Sequence, residues 1–170
     1  MSGKNRYIRG SKKETVLILV KTGVTVDVGD LMFLDNADNL RNDGSSTADY
    51  TAYPIEHFRT SGASLEQNKT SLKDYFLGVA LDDKDGISNG TDKNIPIAIT
   101  GKFEYDLKPG RTVYNGDLFC AAGTTIASDL INQKIMKTSD ESKALGYFRE
   151  SKVHANVAEV FIRTALGNKI

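Results

Sequence analysis

The chain has 170 residues, 39% of them apolar and 8% aromatic, with no Trp, and its 22 Lys and Arg balance 22 Asp and Glu. That length suits one domain with a modest core; zero net charge gives no global reason to bind nucleic acid or membrane, and a single cysteine excludes an intramolecular disulfide framework. No apolar run approaches the ~20 residues of a membrane span, and the polar, basic start lacks the apolar core of a signal sequence, so a soluble protein made in a cytoplasm is expected.

Residues 1–14 read as an extended arm. Lys4, Arg6, Arg9, Lys12 and Lys13 are met by no acid before Glu14, and Tyr7 and Ile8 are its only large apolar side chains after Met1. From Thr15 to Val28 the β-branched density is high and Gly23 interrupts it, which predicts two short strands and a tight turn; Val24, Val26 and Val28 fall at every second position, the period of a half-buried strand. Gly29-Asp30 predicts a turn and Leu31–Leu34 another strand. A polar insertion, about 36–74, follows. It is rich in Asn, Asp, Ser, Thr and Gly, long for a structureless loop, and its Tyr50, Tyr53 and Phe58 imply that it packs on its own domain or on a neighbour. A short helical turn is possible within Ser64–Tyr75.

Tyr75–Leu81 predicts a strand, Asp82-Asp83-Lys84-Asp85-Gly86 a solvated turn and Asn89-Gly90 a second turn. Ile95–Tyr105 reads as a long strand bent or bulged at Gly101, with Ile95, Ile97 and Ile99 on one face. Lys108-Pro109-Gly110 predicts a turn before Thr112–Cys120, a stretch with Asn115-Gly116-Asp117 embedded in it. Ser128–Lys137 fits either a short helix capped by Ser128 or a strand and loop. The final strands are expected over Ala144–Glu150 and Ala155–Leu166. About ten short strands with hardly any amphipathic helix predict a mostly β fold: a single β-domain over 15–170, barrel, tulip-like or sandwich, with at most one or two short helices.

One order of phrases occurs twice. Gly29-Asp30-Leu31, then Leu77-Gly78-Val79-Ala80, then Ile95-Pro96-Ile97-Ala98-Ile99 is followed by Gly116-Asp117-Leu118, Leu145-Gly146-Tyr147-Phe148 and Val157-Ala158-Glu159-Val160-Phe161-Ile162. The repeat predicts two similar halves sharing one core, with Gly29, Asp30, Gly78, Gly116, Asp117 and Gly146 as structural turn and strand positions. An Asp directly after Gly at a strand junction bonds nearby backbone amides, so Asp30 and Asp117 read as turn formers rather than as a catalytic carboxylate pair.

Searches for chemistry find little. There is no Gly-x-Ser-x-Gly elbow, no phosphate-binding glycine loop and no zinc spacing among His57, His154 and Cys120. Cys120 reads as a buried structural thiol in preference to a nucleophile paired with His154. The acidic turn Asp82–Gly86 fails the EF-hand template, because Gly86 at the sixth position puts Leu81 at the first. No catalytic residue, metal or cofactor is expected, and the chain reads as no enzyme.

Taken together, these motifs resemble the small β-rich decoration, or cement, proteins of tailed-bacteriophage capsids. The likeness rests on Gly29-Asp30-Leu31, Leu77-Gly78-Val79-Ala80, Ile97-Ala98-Ile99-Thr100-Gly101-Lys102-Phe103, Asn115-Gly116-Asp117-Leu118-Phe119, Leu145-Gly146-Tyr147 and Val160-Phe161-Ile162-Arg163, and covers roughly residues 24–166. It implies a β-domain on the outer surface of a virion, synthesised in the host cytoplasm, often trimeric, clamping adjacent major capsid protein subunits and stabilising the mature head. The arm and the insertion match no part of the pattern. Their expected role is partner contact, through Lys4, Arg6, Tyr7, Arg9, Lys12 and Lys13 in the arm and Tyr50, Tyr53 and Phe58 in the insertion. The competing expectation is a carbohydrate- or receptor-binding β-module of head-fibre or adhesin type, in which the three insertion aromatics stack on sugars. A peptidase using a serine with a lysine base has no spacing to mark it. Nucleic acid binding is weakly supported, since Tyr7 is the arm's one stacking ring.

Overall fold

The strand predicted around Ile95, Ile97 and Ile99 organises the molecule. The computed structural model describes residues 14–86, 90–124 and 129–164, with 108–110 and 163 as backbone only. In it, β5 (Lys93–Val113) runs through both halves. Its first part pairs antiparallel with β1 (Glu14–Val20) on one edge and with β4 (Phe76–Ala80) on the other. Its second part pairs antiparallel with β9 (Lys152–Arg163) and parallel with β7 (Leu130–Thr138). The exchange of neighbours falls at Thr100, which faces Glu14 on one side and Arg163 on the other, next to Gly101.

The second half closes on itself. β5, β7, β6 (Leu118–Gly123), β8 (Gly146–Phe148) and β9 return to β5, a closed five-stranded barrel with no free edge. The first half repeats the order: β2 (Leu31–Leu34) pairs with β3 (Ala52–Pro54) and with β4, and β4 leads to β5 and β1. Thus β2, β3, β4, the start of β5, and β1 stand where β6, β7, β8, β9 and the end of β5 stand in the second half. One joint differs. β1 and β3 lie side by side, yet no ladder joins them where β5 and β7 are laddered. One apolar cluster fills both halves, from Val20 and Phe33 to Phe148 and Ile162.

Several expectations hold in detail. Ile95, Ile97 and Ile99 are all buried, and β2, β4, β8 and β9 fall where strands were predicted. The possible helical turn is a full helix, α1 (Leu65–Tyr75). Ser64 caps it, accepting a hydrogen bond from the Gln67 amide while the Gln67 side chain accepts from the Ser64 amide. Its buried Leu72 faces the core.

Other expectations are corrected. The valine run 24–28 forms no second strand; Val26 makes a single bridge to Lys84, and burial alone accounts for the alternation of Val24 and Val26. The Asp82–Gly86 turn is consequently not simply solvated, because Lys84 is buried and its ammonium donates to the Val24 carbonyl. Lys108-Pro109-Gly110 does not reverse the chain. β5 passes straight through it, and the extra residues appear as register shifts between Asp106 and Val113 opposite β9. Thr112–Cys120 comprises the end of β5, the expected turn at Asn115-Gly116-Asp117, and the start of β6. Of the two readings of Ser128–Lys137, the strand is right: β7 pairs with β6 along its length and buries Leu130 and Ile135. His154, which falls between the two final strands expected from sequence, sits inside β9, with a φ of 51° at the bulge opposite Arg111. Glu14, assigned to the arm, opens β1. Arm residues Lys4, Arg6, Tyr7, Arg9, Lys12 and Lys13 lie outside the described residues, as do Asn89 of the second predicted turn and Ser128.

Candidate functional site

The doubled turns are the same structure twice. The Asp27 amide donates to the Asp30 carboxylate at 2.9 Å, and the Tyr114 amide to the Asp117 carboxylate at 2.7 Å. The Asp30 and Asp117 amides return the bond to the carbonyls of Asp27 and Tyr114, each at 3.0 Å. Gly29 and Gly116, at φ of 95° and 92°, let the chain turn left-handed there. Their amides donate to the carbonyls of Ala80 and Phe148, whose own amides donate back to Asp30 and Asp117. The second glycines match as well. A Cβ on Gly78 would stand 2.1 Å from the Ala98 carbonyl oxygen, and one on Gly146 would stand 2.1 Å from that of Phe161. The repeat therefore encodes backbone geometry.

The two aspartates differ in surroundings. Asp30 is buried, accepts from Gln133 at 2.9 Å, and its carboxyl is pushed up to about 6 by burial, against the hydrogen bonds from Asp27 and Gln133. Asp117 is lowered despite partial burial, held by the Lys137 ammonium at 2.6 Å. Each is committed to its own turn. Cys120 is buried and burial pushes its thiol up to about 11, so it is a core thiol and a poor nucleophile. Among the described residues no three of His, Cys, Asp and Glu gather as a metal site, and no helix is long and apolar enough to cross a membrane.

What the sequence left unexplained is how the polar insertion holds together. Its centre is Arg41. The guanidinium reaches Asp35 at 3.2 Å, Asp49 at 3.1 Å and Asp43 at 3.3 Å, donates to the Tyr53 hydroxyl at 2.6 Å, and also bonds Ser45. Its Cζ stands 5.0 Å from the centroid of the Tyr53 ring. Tyr53 donates in turn to Asp49, and Lys21 ties Asp49 to the end of β1 at 3.0 Å. Burial opposes ionisation of Asp49, but the bonds from Thr51, Tyr53 and Lys21 with the Arg41 charge bring it down to about 2. Burial and the Asp49 hydrogen bond push Tyr53 up to about 12. Asp35, the most deeply buried of the three acids, is raised by burial. The recoverable signal was acids at 35, 38, 43 and 49 around the one arginine between Arg9 and Arg59. A cavity of about 610 Å³ opens beside this knot, with Lys21, Val24, Arg41, Tyr53 and His57 in its wall.

The three insertion aromatics part company. Phe58 is fully buried and meets Phe33 edge to face at 5.1 Å, and Tyr53 is 4% exposed and stacks on Phe33. Both belong to this chain's core, and Tyr53 also stands in the wall of the cavity beside Arg41. Tyr50 is 72% exposed and has a φ of 58°. A left-handed backbone costs a residue with a Cβ about 1–2 kcal/mol, and its exposed ring recovers little of that inside this chain. The backbone beneath it is tied to the Arg41 knot, since the Tyr50 amide, next in sequence to Asp49, donates to the Asp35 carbonyl at 2.8 Å. Leu17, Tyr114 and Val153 are the other exposed large apolar side chains among the described residues.

No family model matches the chain, and no curated protein matches it. A solved structure, the N base of the head fiber gp8.5 in bacteriophage phi29, is similar at 15% identity and a TM-score of 0.45, over 88% of this chain and 94% of that one. At that score the likeness carries no argument about what this chain does.

Proposed function

We propose that the chain is a non-enzymatic structural protein that binds the outer surface of a viral capsid and cements adjacent major capsid protein subunits. The observation that carries this reading is the doubled turn-and-strand pattern, which resembles capsid decoration proteins and whose residues form the matching turns and close strand approaches within each half. Identical hydrogen bonds at Asp30 and Asp117 and identical backbone approaches at Gly78 and Gly146 make those residues scaffold. A rigid β-body with its one thiol buried suits a clamp better than a catalyst.

In this reading the contacts come from the parts outside the repeat. Tyr50 is an aromatic anchor of the kind that dominates interface energies, presented on a pedestal that the Arg41 knot keeps from moving. The basic arm adds charge. On a lattice many weak contacts act together, and a ligand that binds the mature shell better than other states stabilises it. A trimer is the favoured assembly. The carbohydrate-binding alternative loses two of its three rings to the core, so no stacking platform supports it.

Co-sedimentation of the purified protein with empty shells of the virus that encodes it tests the proposal. Saturation at a fixed ratio of protein to capsid subunit is expected, with weaker binding after removal of residues 1–13 or in Tyr50→Gly. Absence of shell binding, with selective retention on a glycan array, would replace it with the receptor-binding reading.

A further inference from the structure

Two bulky residues hold left-handed backbone at the surface. Tyr50 has a φ of 58° and His154 a φ of 51°, and both are exposed. Backbone of this kind costs about 1–2 kcal/mol at a residue with a Cβ and gathers where a partner is held. Three of the four exposed large apolar side chains lie with them: Tyr50 itself, and Tyr114 and Val153 beside His154.

The second-half surface is built by the end of β5 and the start of β9. Val113 is buried opposite Lys152, so Tyr114 and Val153, each next in sequence to that pair, face outward beside each other. The bulge at His154 follows at once, and bulges re-aim neighbouring side chains. The charge left over here is positive. Arg111 is exposed and the Lys137 ammonium stands 5.3 Å from the centroid of the Tyr114 ring, while the nearby acids Asp117 and Glu150 are already held by Lys137 and Lys152 at 2.6 Å each. The first-half surface has the opposite sign. Residues 35–49 carry four Asp and one Arg, and Asp43 keeps 46% of its side chain exposed beside the loop that presents Tyr50.

We propose that the Tyr114–Val153 face of one copy of this chain receives the Tyr50 loop of a second copy, head to tail. Charge selects the occupant. The face set against itself would bring cations to cations, whereas the Tyr50 loop brings carboxylates to Arg111 and Lys137 and a ring to the apolar pair. Aromatic anchors in apolar seats dominate interface energies. Because the two surfaces differ and lie in different halves, the contact is heterologous, and a heterologous contact closes into a ring when its rotation allows. The inference gives the trimer of the capsid reading its contact surface and rests on that reading for the number three alone.

Sedimentation velocity of the full chain at rising concentration, without shells, tests it. Self-association is expected, and Val153→Asp and Tyr50→Gly should each weaken it about tenfold or more. Each variant keeps one intact surface, so an equimolar mixture of the two should form 1:1 pairs that grow no further. A chain that stays monomeric, a variant that associates like the unsubstituted chain, or a mixture that stays monomeric would each overturn the proposal. Shell binding by a chain that is monomeric in solution would remove this contact and leave the capsid reading standing.

Discussion

Replacing Gly78 by Ala puts the account of the repeat under quantitative strain. The new Cβ would stand 2.1 Å from the Ala98 carbonyl oxygen and 2.9 Å from its carbon, both backbone atoms of β5, and 3.2 Å from Ile97 Cγ2. No rotamer change relieves a clash with backbone, so β4 and β5 must separate where Val79 faces Ala98. Overpacking of this kind costs about 1–3 kcal/mol, and the φ of 146° adds strain of about 1 kcal/mol or more. A loss near 3 kcal/mol follows, or roughly 6–12 °C in Tm at the ~2–4 °C per kcal/mol usual for a domain of this size. Gly146→Ala meets the same 2.1 Å approach, to Phe161, without a left-handed φ, and is expected to lose about 2 kcal/mol. Gly116→Ala has open space around it and a φ of 92°, so its cost is conformational alone, about 1 kcal/mol. Urea denaturation followed by far-ultraviolet circular dichroism gives the three values. The order Gly78, Gly146, Gly116 is the prediction, and a Gly78→Ala loss no larger than that of Gly116→Ala would refute the close strand approach.

Further predictions concern charge and exposure. Because the folded pKa of Asp30 is raised to about 6 from 3.8, the folded state prefers its neutral form. Its contribution is fully present below pH ~4 and is lost as pH rises through about 6, a difference of about 3 kcal/mol; urea titrations from pH 7 to 5 should show stability gained on acidification, and Asp30→Asn should remove that gain. Asp49 works in the opposite direction, since its lowered pKa gives stability that is present above about 4 and lost as pH falls toward about 2, so the acid limb should steepen there and flatten in Asp49→Asn. Arg41→Ala leaves Asp35, Asp43 and Asp49 facing one another and should cost roughly 3 kcal/mol by urea denaturation, with Arg41→Lys restoring only part because a single ammonium cannot span all three. Tyr50→Gly relieves a left-handed backbone and should leave the fold as stable or up to about 1 kcal/mol more stable while weakening shell binding. Cys120 should resist a thiol reagent in the native protein and react once urea unfolds it.

Much of the fold was readable because backbone demands recur in the sequence. Gly-Asp at 29–30 and at 116–117 announces a left-handed glycine and a carboxylate that caps the turn, and Leu-Gly at 77–78 and 145–146 announces a strand pressed against another backbone. The alternation at Ile95, Ile97 and Ile99 fixed a buried face. The misreadings have a common cause. Val24–Val28 and Lys108-Pro109-Gly110 carry the right local propensities, but whether a valine run finds a ladder partner, or a Pro-Gly is carried within a strand as a register shift rather than reversing it, depends on neighbours remote in sequence. Tyr53 and Phe58 look the same as Tyr50 in a polar segment. Tyr53 is held inward by Arg41 together with Asp35 and Asp49, and Phe58 by its packing on Phe33, a convergence of residues from 33 to 58 that no short window contains.

The proposed role is to cement a shell rather than merely attach to it. The direct measurement is the rupture temperature of purified shells lacking the protein, before and after it is added back to saturation. A higher rupture temperature is expected in the decorated shells, with a smaller gain for Tyr50→Gly at equal protein concentration. Saturated shells that rupture at the undecorated temperature would contradict it and leave attachment without cementing.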